Sequence, residues 1–147
     1  MKTLDFKPDA ILSSYHGIPK MYFEKGDPYQ CFCHKTNRLF SEELVRQQIN
    51  ITNHISFQSR FGPKEWLKPY TADVLHKLID DGVKNLLVIT PGFASDCIET
   101  LEEVNMEYKD LFLEAGGKNF SLVPCLNDSE DGINLIYHLL KSNLWQM

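Results

Sequence analysis

The chain has 147 residues, of which 43% are hydrophobic and 24% charged, and its formal net charge at pH 7 is −5. This is the size and composition of one soluble globular domain. A nucleic-acid partner is disfavoured, because phosphate backbones attract clustered Lys and Arg, and the 15 basic residues here are scattered. No apolar run approaches the roughly 18 residues of a transmembrane segment. The opening stretch MKTLDFKPDA is too polar for a secretory signal, so we expect a cytoplasmic protein.

The four cysteines do not form a familiar metal motif. Cys31 and Cys33 are separated by one residue, whereas common zinc knuckles have a gap of two, and Cys97 and Cys125 are isolated. Free cysteines are often buried as small apolar side chains. We therefore expect reduced, structural cysteines.

Strand-like and helix-like segments alternate four times along the chain. In chain order, the pattern predicts a strand at Asp9–Tyr15, a loop at Gly17–Pro28, a helix at Gln30–Gln48, a strand at His54–Gln58, a helix at Thr71–Asp81, a strand at Asn85–Thr90, a helix at about Asp96–Ala115, a strand at Asn119–Val123 and a helix at Ser129–Ser142. The third strand, NLLVIT, is the most apolar and is predicted to be central. Strict alternation predicts one α/β domain over residues 1–147, with a four-stranded parallel sheet and helices on both faces in three layers.

The loops that follow the predicted strands indicate where a site would lie. In open parallel sheets, ligands bind outside the carboxyl ends of the strands, near a switch in strand order. His16 follows the first strand, Ser59 and Arg60 follow the second, and residues 91–96 follow the third. This position makes His16 a candidate site residue, although polar side chains also fill such loops for solubility.

The predicted third helix carries a row of carboxylates. Glu99, Glu103 and Glu107 are four residues apart and would share one helix face. The predicted buried stripe consists of Ile98, Leu101, Val104, Tyr108, Leu111 and Phe112. A capping box between Asp96 and Glu99, or the helix dipole, would explain Glu99 without chemistry, but would not explain Glu107. A row of acids leading from an edge histidine would suit cation delivery or proton removal.

Two common site motifs are absent from the sequence. There is no G-x-G-x-x-G run, which makes a dinucleotide-binding function a weak hypothesis. There is also no G-x-S-x-G nucleophile elbow, which disfavours a hydrolase.

Four segments together resemble one family. SSYHGIPKMYFEKGDPY, ISFQSRFGPKEWLKPYT, VITPGFASDCIETLEEVNMEY and VPCLND resemble, in this order and spacing, the C-terminal half of ferrochelatase. The similarity runs from Asp9 to the last predicted helix. Ferrochelatase is a lyase of haem biosynthesis that inserts ferrous iron into a porphyrin. The resemblance implies a chelatase-like half domain with porphyrin, either protoporphyrin or coproporphyrin, and Fe²⁺ as substrates.

The resemblance also implies roles for individual residues. The histidine of S-x-H-G-I-P falls on His16, as a catalytic metal ligand, proton acceptor, or both. The glutamate of D-x-I-E-T-L falls on Glu99, across the same pocket, with the same catalytic and metal-binding roles. Glu103 and Glu107 match positions that carry protons or bind an outer metal ion. Trp66, in the K-E-W-L segment, matches an aromatic residue beside the porphyrin.

Family members also have an N-terminal half that forms much of the porphyrin cleft. If this chain is a fragment, that half is its expected partner. Two alternatives stay open: a small stand-alone homodimeric chelatase for cobalt or nickel, and a tetrapyrrole- or metal-binding module without turnover. No resident cofactor is expected, and in particular no iron–sulfur cluster. Peripheral association with a membrane also stays open.

Overall fold

Four parallel strands form one sheet in the computed structural model, which describes residues 4–144. The strands are β1 (Ala10–His16), β2 (Thr52–Gln58), β3 (Asn85–Ile89) and β4 (Asn119–Leu122). Their order across the sheet is β2-β1-β3-β4, and every neighbouring pair is parallel. All four strands were predicted within two residues at each end, and β3 is a central strand as expected.

The helices follow the strands along the chain. They are α1 (Lys20–Glu24), α2 (Tyr29–Arg46), α3 (Thr71–Asp80), a π-helix (Glu99–Tyr108) that continues into α4 (Lys109–Glu114), and α5 (Glu130–Leu144). Of these, α2, α3, the π-helix and α4 pack against the sheet. From residue 4 to residue 144, no helix combines the length and apolar character that a membrane crossing requires.

Two hydrophobic clusters lie on opposite faces of the sheet. On one face, the cluster joins the strands to α3, the π-helix and α4, and its buried members are Ala10, Leu12, Leu75, Leu78, Leu86, Val88, Val104, Phe112 and Phe120. On the other face, Tyr15 and Phe57 pack with Cys33 of α2 and with Leu67. Burying one large apolar side chain stabilises a fold by about 1.5–3 kcal/mol. The predicted three-layer α/β fold is therefore confirmed, with a core on each side of the sheet.

The prediction of a loop over Gly17–Pro28 was wrong in its middle, where α1 forms. Pro19 directly precedes this short helix, and Gly26, with φ +94°, follows it. No residue of α1 is buried. A helix without a buried stripe lacks the apolar periodicity that reveals a helix in sequence.

The helix predicted at Asp96–Ala115 was wrong in its first half. It begins at Glu99, and its first ten residues are a π-helix, in which each N–H bonds to the carbonyl five residues earlier. A buried stripe with a period of 3.6 residues does not fit this wider turn. Ile98 and Leu101, which were predicted to be buried, are 67% and 52% exposed, whereas Val104 is fully buried.

Candidate active site at the switch point of the sheet

The strand order creates one switch point, between β1 and β3. From β1 the chain continues to β2 on one side, and from β3 it continues to β4 on the other. The loops that leave the carboxyl ends of β1 and β3 therefore diverge and leave a crevice, which is where open α/β sheets bind ligands. The ring of His16, the last residue of β1, lies 6.3 Å from the ring of Phe93, in the loop after β3. The sequence located this edge correctly.

The imidazole of His16 is held in one orientation. Its Nδ1 lies 2.6 Å from the carbonyl oxygen of Gly17. The backbone carbonyl oxygen of His16 accepts a hydrogen bond of 2.8 Å from the Tyr29 hydroxyl. Because a carbonyl oxygen can only accept, Nδ1 carries the proton in the neutral ring. The lone pair of Nε2 is then available to a proton or a metal ion.

Trp66 packs against Gly17, the residue that follows His16, because Gly17 has no side chain. A Cβ at Gly17 would lie 2.8 Å from the Gln58 carbonyl oxygen and 3.2 Å from Cε3 of Trp66. The indole Nε1 donates to the Phe61 carbonyl oxygen at 2.8 Å, which fixes the half-buried ring. Trp66 is therefore a fixed aromatic ring against the backbone that follows His16.

Glu99 opens the π-helix and is electrostatically linked to His16. Hydrogen bonding to Cys97 and to its own backbone amide, with the charge of His16 contributing, holds the pKa of the Glu99 carboxyl below its ordinary value of 4.5. The side chain is therefore a carboxylate at neutral pH. The site thus combines an anion and an imidazole with a free lone pair.

Glu103, one turn further along, is held by four hydrogen bonds. Its Oε1 accepts from the Ser59 backbone amide at 2.6 Å and from the Tyr108 hydroxyl at 2.9 Å. Its Oε2 accepts from the Ser59 hydroxyl at 2.5 Å and from Nε2 of Gln58 at 3.3 Å. A carboxylate has about four acceptor positions, and all of them are used here. Glu103 thereby fastens the π-helix to the end of β2.

Gln58 connects this helix to the interior of the sheet. Its side chain is 1% exposed, accepts from the Ser14 hydroxyl at 2.8 Å and donates to the Glu99 carbonyl oxygen at 3.1 Å. Ser59 has φ +64°, a left-handed conformation that costs of order 1 kcal/mol outside glycine. That conformation directs both the amide and the hydroxyl of Ser59 at one carboxylate.

The supporting roles of Gln58, Ser59 and Tyr108 were missed from the sequence. In the sequence, Ser59 is only a polar residue after a strand, and Tyr108 fits an apolar position of the predicted helix. The polar pair Gln58–Ser59 at a strand end was the available signal. Their partner lies more than 40 residues away, which no local pattern reveals.

The three glutamates of the acidic row differ in their exposure to solvent. Glu99 and Glu103 are half-buried, whereas Glu107 is exposed. Burial, together with the charge and hydrogen bond of Glu103, raises the pKa of Tyr108, and the charge of Glu107 adds to this effect. The hydroxyl of Tyr108 therefore remains a hydrogen-bond donor at any physiological pH.

The capping box suggested for Asp96 and Glu99 does not form. The π-helix begins without a side-chain cap. Asp96 Oδ1 instead accepts from the Thr100 hydroxyl at 3.0 Å, and its Oδ2 accepts from Nδ2 of Asn127 at 2.7 Å. The Asp96 amide in turn donates to Asn127 Oδ1 at 2.8 Å, so the pair ties the loop after β4 to the crevice.

The residues around His16 do not form a closed metal cage. Across residues 4–144, no group of three or more His, Cys, Asp and Glu side chains is placed to hold a metal ion together.

The fold and this site together define an α/β domain that presents an imidazole, a carboxylate and an aromatic ring at the switch point of a parallel sheet. A family model described as Ferrochelatase matches residues 1–144. The ferrochelatase of Francisella tularensis subsp. novicida (strain U112) is 51% identical over 144 residues, and that of F. tularensis subsp. tularensis (strain WY96-3418) is 50% identical. The chain belongs to the ferrochelatase family.

The lengths of these relatives differ from that of the chain. The match covers 98% of this chain but 43% of each of the two Francisella proteins, so the chain spans less than half of their length. Among solved structures, a putative cobalamin (vitamin B12) biosynthesis CbiX protein from Marinobacter aquaeolei VT8 has a similar fold, with a TM-score of 0.61 at 16% identity. That match covers 95% of this chain and 100% of the other.

Proposed function

We propose that this chain is the metal-inserting half of a ferrochelatase, which places Fe²⁺ into a porphyrin, protoporphyrin or coproporphyrin, in haem biosynthesis. The observation that carries the proposal is that His16 and Glu99 lie at the switch point. Nδ1 of the imidazole bonds to the Gly17 carbonyl oxygen, which leaves Nε2 free. Family membership supplies the reaction, and the side chains supply the chemistry it needs.

Metallation removes two pyrrole protons and passes a cation to four ring nitrogens. The Nε2 lone pair of His16 can accept a proton or hold Fe²⁺. Glu99 is a carboxylate at neutral pH, and the lowering of its pKa keeps it ionised further into the acid range. Oxygen ligands hold ferrous iron only moderately, so they can release it to the porphyrin. The flat indole of Trp66 would contact the porphyrin beside the metal path.

Glu103 and Glu107 are proposed to act further out along the same helix, in proton removal or in holding an outer metal ion. The two side chains differ in how readily they can exchange a proton or a cation. Glu107 is exposed and can exchange protons or cations with water, whereas Glu103 must give up one of its four hydrogen bonds to do so.

The partner in this proposal is the rest of the ferrochelatase polypeptide. A porphyrin is a flat disc, and the side chains described here contact it from one side. Orienting and distorting the disc requires that both faces are held. We therefore expect the isolated chain to fold but to be a poor catalyst.

The test uses a full-length protein in which residues 1–144 of this chain replace the matched segment of the strain U112 ferrochelatase. Metalloporphyrin formation is followed by absorbance with Fe²⁺ under anaerobic conditions, for protoporphyrin and coproporphyrin separately. We expect turnover by the chimera and a rate lower by at least about 100-fold for His16→Ala, the usual range for a lost proton acceptor. His76→Ala, an exposed histidine of α3, is the matched control.

Porphyrin affinity separates the roles within the site. His16→Ala and Glu99→Gln should slow metallation while porphyrin fluorescence quenching is retained, whereas Trp66→Ala should weaken porphyrin binding. Unchanged turnover in both His16→Ala and Glu99→Gln would refute the site.

Other outcomes would favour one of the two alternative functions. Full turnover by the isolated chain, together with a dimeric mass in light scattering, would indicate a stand-alone homodimeric chelatase, and cobalt and nickel would then be assayed beside iron. Porphyrin binding without turnover in the chimera would indicate a binding module. The cytoplasmic location belongs to the same proposal and is tested by fractionating cells that produce a tagged chain.

A further inference from the structure

The peptide bond that follows His16 is held from both sides. Its N–H, on Gly17, donates to the Gln58 carbonyl oxygen of β2 at 2.8 Å. Its carbonyl oxygen, on His16, accepts from the Tyr29 hydroxyl at 2.8 Å. Because the N–H and C=O of a trans peptide point in opposite directions, the His16 carbonyl points away from β2. The Tyr29 hydroxyl therefore meets it on the side of β1 that faces β3.

Strand pairing does not reach this carbonyl on the β3 side. Within the described residues, the pairing of β1 with β3 ends at Ser13 and Ile89, whereas the pairing with β2 continues to His16 and Gln58. A backbone carbonyl away from water needs a donor. The Tyr29 hydroxyl thus takes the place that the next strand would otherwise fill.

Tyr29 is itself fixed at the start of α2. Its backbone amide donates to Asp27 Oδ1 at 2.8 Å, and its ring packs on the hydrophobic cluster that contains Cys33. A Cβ on Gly92 would lie 3.9 Å from the Tyr29 hydroxyl oxygen, so the hydroxyl also lies close to the loop after β3. It is thus placed where the loops after β1 and β3 diverge.

Gly17 connects this anchored peptide to the His16 ring. The Gly17 carbonyl oxygen lies 2.6 Å from Nδ1 and keeps the proton of the neutral ring on that atom. Glycine restricts its own φ and ψ less than any other residue, so steric contacts with a side chain do not fix the direction of this carbonyl. Hydrogen bonds on either side of Gly17 fix it instead. They are those of the His16–Gly17 peptide and the bond from the Leu67 amide to the Ile18 carbonyl oxygen at 3.0 Å.

We propose that Tyr29 is a positioning residue for the reaction of His16. Its hydroxyl holds the His16–Gly17 peptide and so directs the Gly17 carbonyl oxygen at Nδ1. Nε2 is thereby left unprotonated and able to take up a pyrrole proton or Fe²⁺. This inference rests on the proposed function, in which Nε2 of His16 is the reacting atom.

Nuclear magnetic resonance of the chain with nitrogen-15-labelled histidine tests the tautomer directly. Proton–nitrogen correlation spectra distinguish a protonated from an unprotonated ring nitrogen, at a pH at which the ring is neutral. The signals of His16 are identified by their loss in His16→Ala. We expect a protonated Nδ1 in wild type. In Tyr29→Phe, which keeps the ring and removes the hydroxyl, we expect a mixture that includes the Nε2–H tautomer favoured by free histidine.

Tyr15→Phe is the matched control. Tyr15 directly precedes His16 and is buried in the same hydrophobic cluster, and among the described residues its hydroxyl has no hydrogen-bond partner. The substitution therefore removes the same atom without changing a bond to the His16–Gly17 peptide. We expect the wild-type tautomer in Tyr15→Phe. A shift of equal size in both variants would overturn the inference, because it would show a general effect of packing.

The chimera with the strain U112 ferrochelatase measures the consequence for turnover. Loss of a group that orients a metal-binding histidine costs about 10- to 100-fold in activity. We expect kcat of Tyr29→Phe to fall by about 10-fold, the lower end of that range, since Tyr29 acts through the backbone. The KM for porphyrin should be unchanged, and Tyr15→Phe should keep the wild-type kcat. A hydroxyl that only stabilises the fold would change neither the tautomer nor kcat alone.

The outcomes separate this inference from the proposed function. An unchanged His16 tautomer in Tyr29→Phe, or full kcat of Tyr29→Phe in an active chimera, would overturn the inference and leave the function intact. A folded but inactive wild-type chimera, together with a shifted tautomer in Tyr29→Phe, supports the hold of Tyr29 on the imidazole and refutes the function. If Tyr29→Phe does not fold, wild type is measured alone. A His16 proton on Nε2 would then overturn the inference, and a proton on Nδ1 would support it.

Discussion

Two helical segments at the same edge of the sheet are held in opposite ways. The π-helix Glu99–Tyr108 is bound to β2 through Glu103 and Gln58, and it buries Thr100 and Val104. Helix α5 buries only Gly132. Both sequences are amphipathic, so the difference lies in what surrounds them. The π-helix is thus packed on the sheet through one face, whereas α5 has no packed apolar face.

The largest expected effect comes from truncating one apolar side chain in each region. Phe112, in the continuation of the π-helix, is fully buried against Phe120, with ring centroids 5.9 Å apart. Phe112→Ala should lower the free energy of unfolding by about 3–5 kcal/mol because it removes buried contacts and leaves a cavity. Leu140→Ala in α5 should change it by less than about 0.5 kcal/mol in the isolated chain. Urea denaturation of both variants gives the comparison, and similar losses would mean that α5 is already packed.

A smaller effect is expected from removing one hydroxyl in each region. Tyr108→Phe deletes the hydrogen bond to the Glu103 carboxylate and should lower the free energy of unfolding by about 1–2 kcal/mol, since bonds to charged groups are stronger than neutral ones. Tyr137→Phe, at an exposed site in α5, is the matched control and should change it by less than about 0.5 kcal/mol. Thermal unfolding of both proteins measures the pair. Equal stability of Tyr108→Phe and wild type would show that Glu103 is not a fastening point.

The smallest expected effect is a pH dependence at the start of the π-helix. Hydrogen bonding to Cys97 lowers the pKa of Glu99 below 4.5, so the folded state favours the carboxylate. The resulting stabilisation is fully present above pH 4.5 and is lost as the pH falls through the lowered pKa. The difference in melting temperature between wild type and Glu99→Gln should therefore be constant above pH 4.5 and shrink below it. Glu107→Gln measures the background effect of removing one carboxylate from this helix. A difference that grows on acidification would contradict the assigned direction.

Most of the fold could be predicted because its elements are encoded locally. Short apolar segments between turn residues identify the four strands, and the strict alternation of strands with helices predicts a parallel sheet. The edge that carries His16 follows from the same pattern, since parallel strands all end on one side. Helix α1 was not predicted because none of its residues is buried. Ile98 and Leu101 were predicted to be buried because they fit the 3.6-residue period of an α-helix, which a π-helix does not follow.

By itself, the sequence determined the fold class, the edge of the sheet where His16 lies and the residues of the acidic row, because hydrophobic periodicity and turn residues act over a few positions. The tertiary structure alone decided the strand order β2-β1-β3-β4, the π-helical turn and the difference between the fastened Glu103 and the exposed Glu107. These features depend on contacts between distant residues, such as the amide of Gln58 on the Glu99 carbonyl oxygen, 41 positions away. A hydrogen bond across that separation exists only after the sheet has brought its partners together.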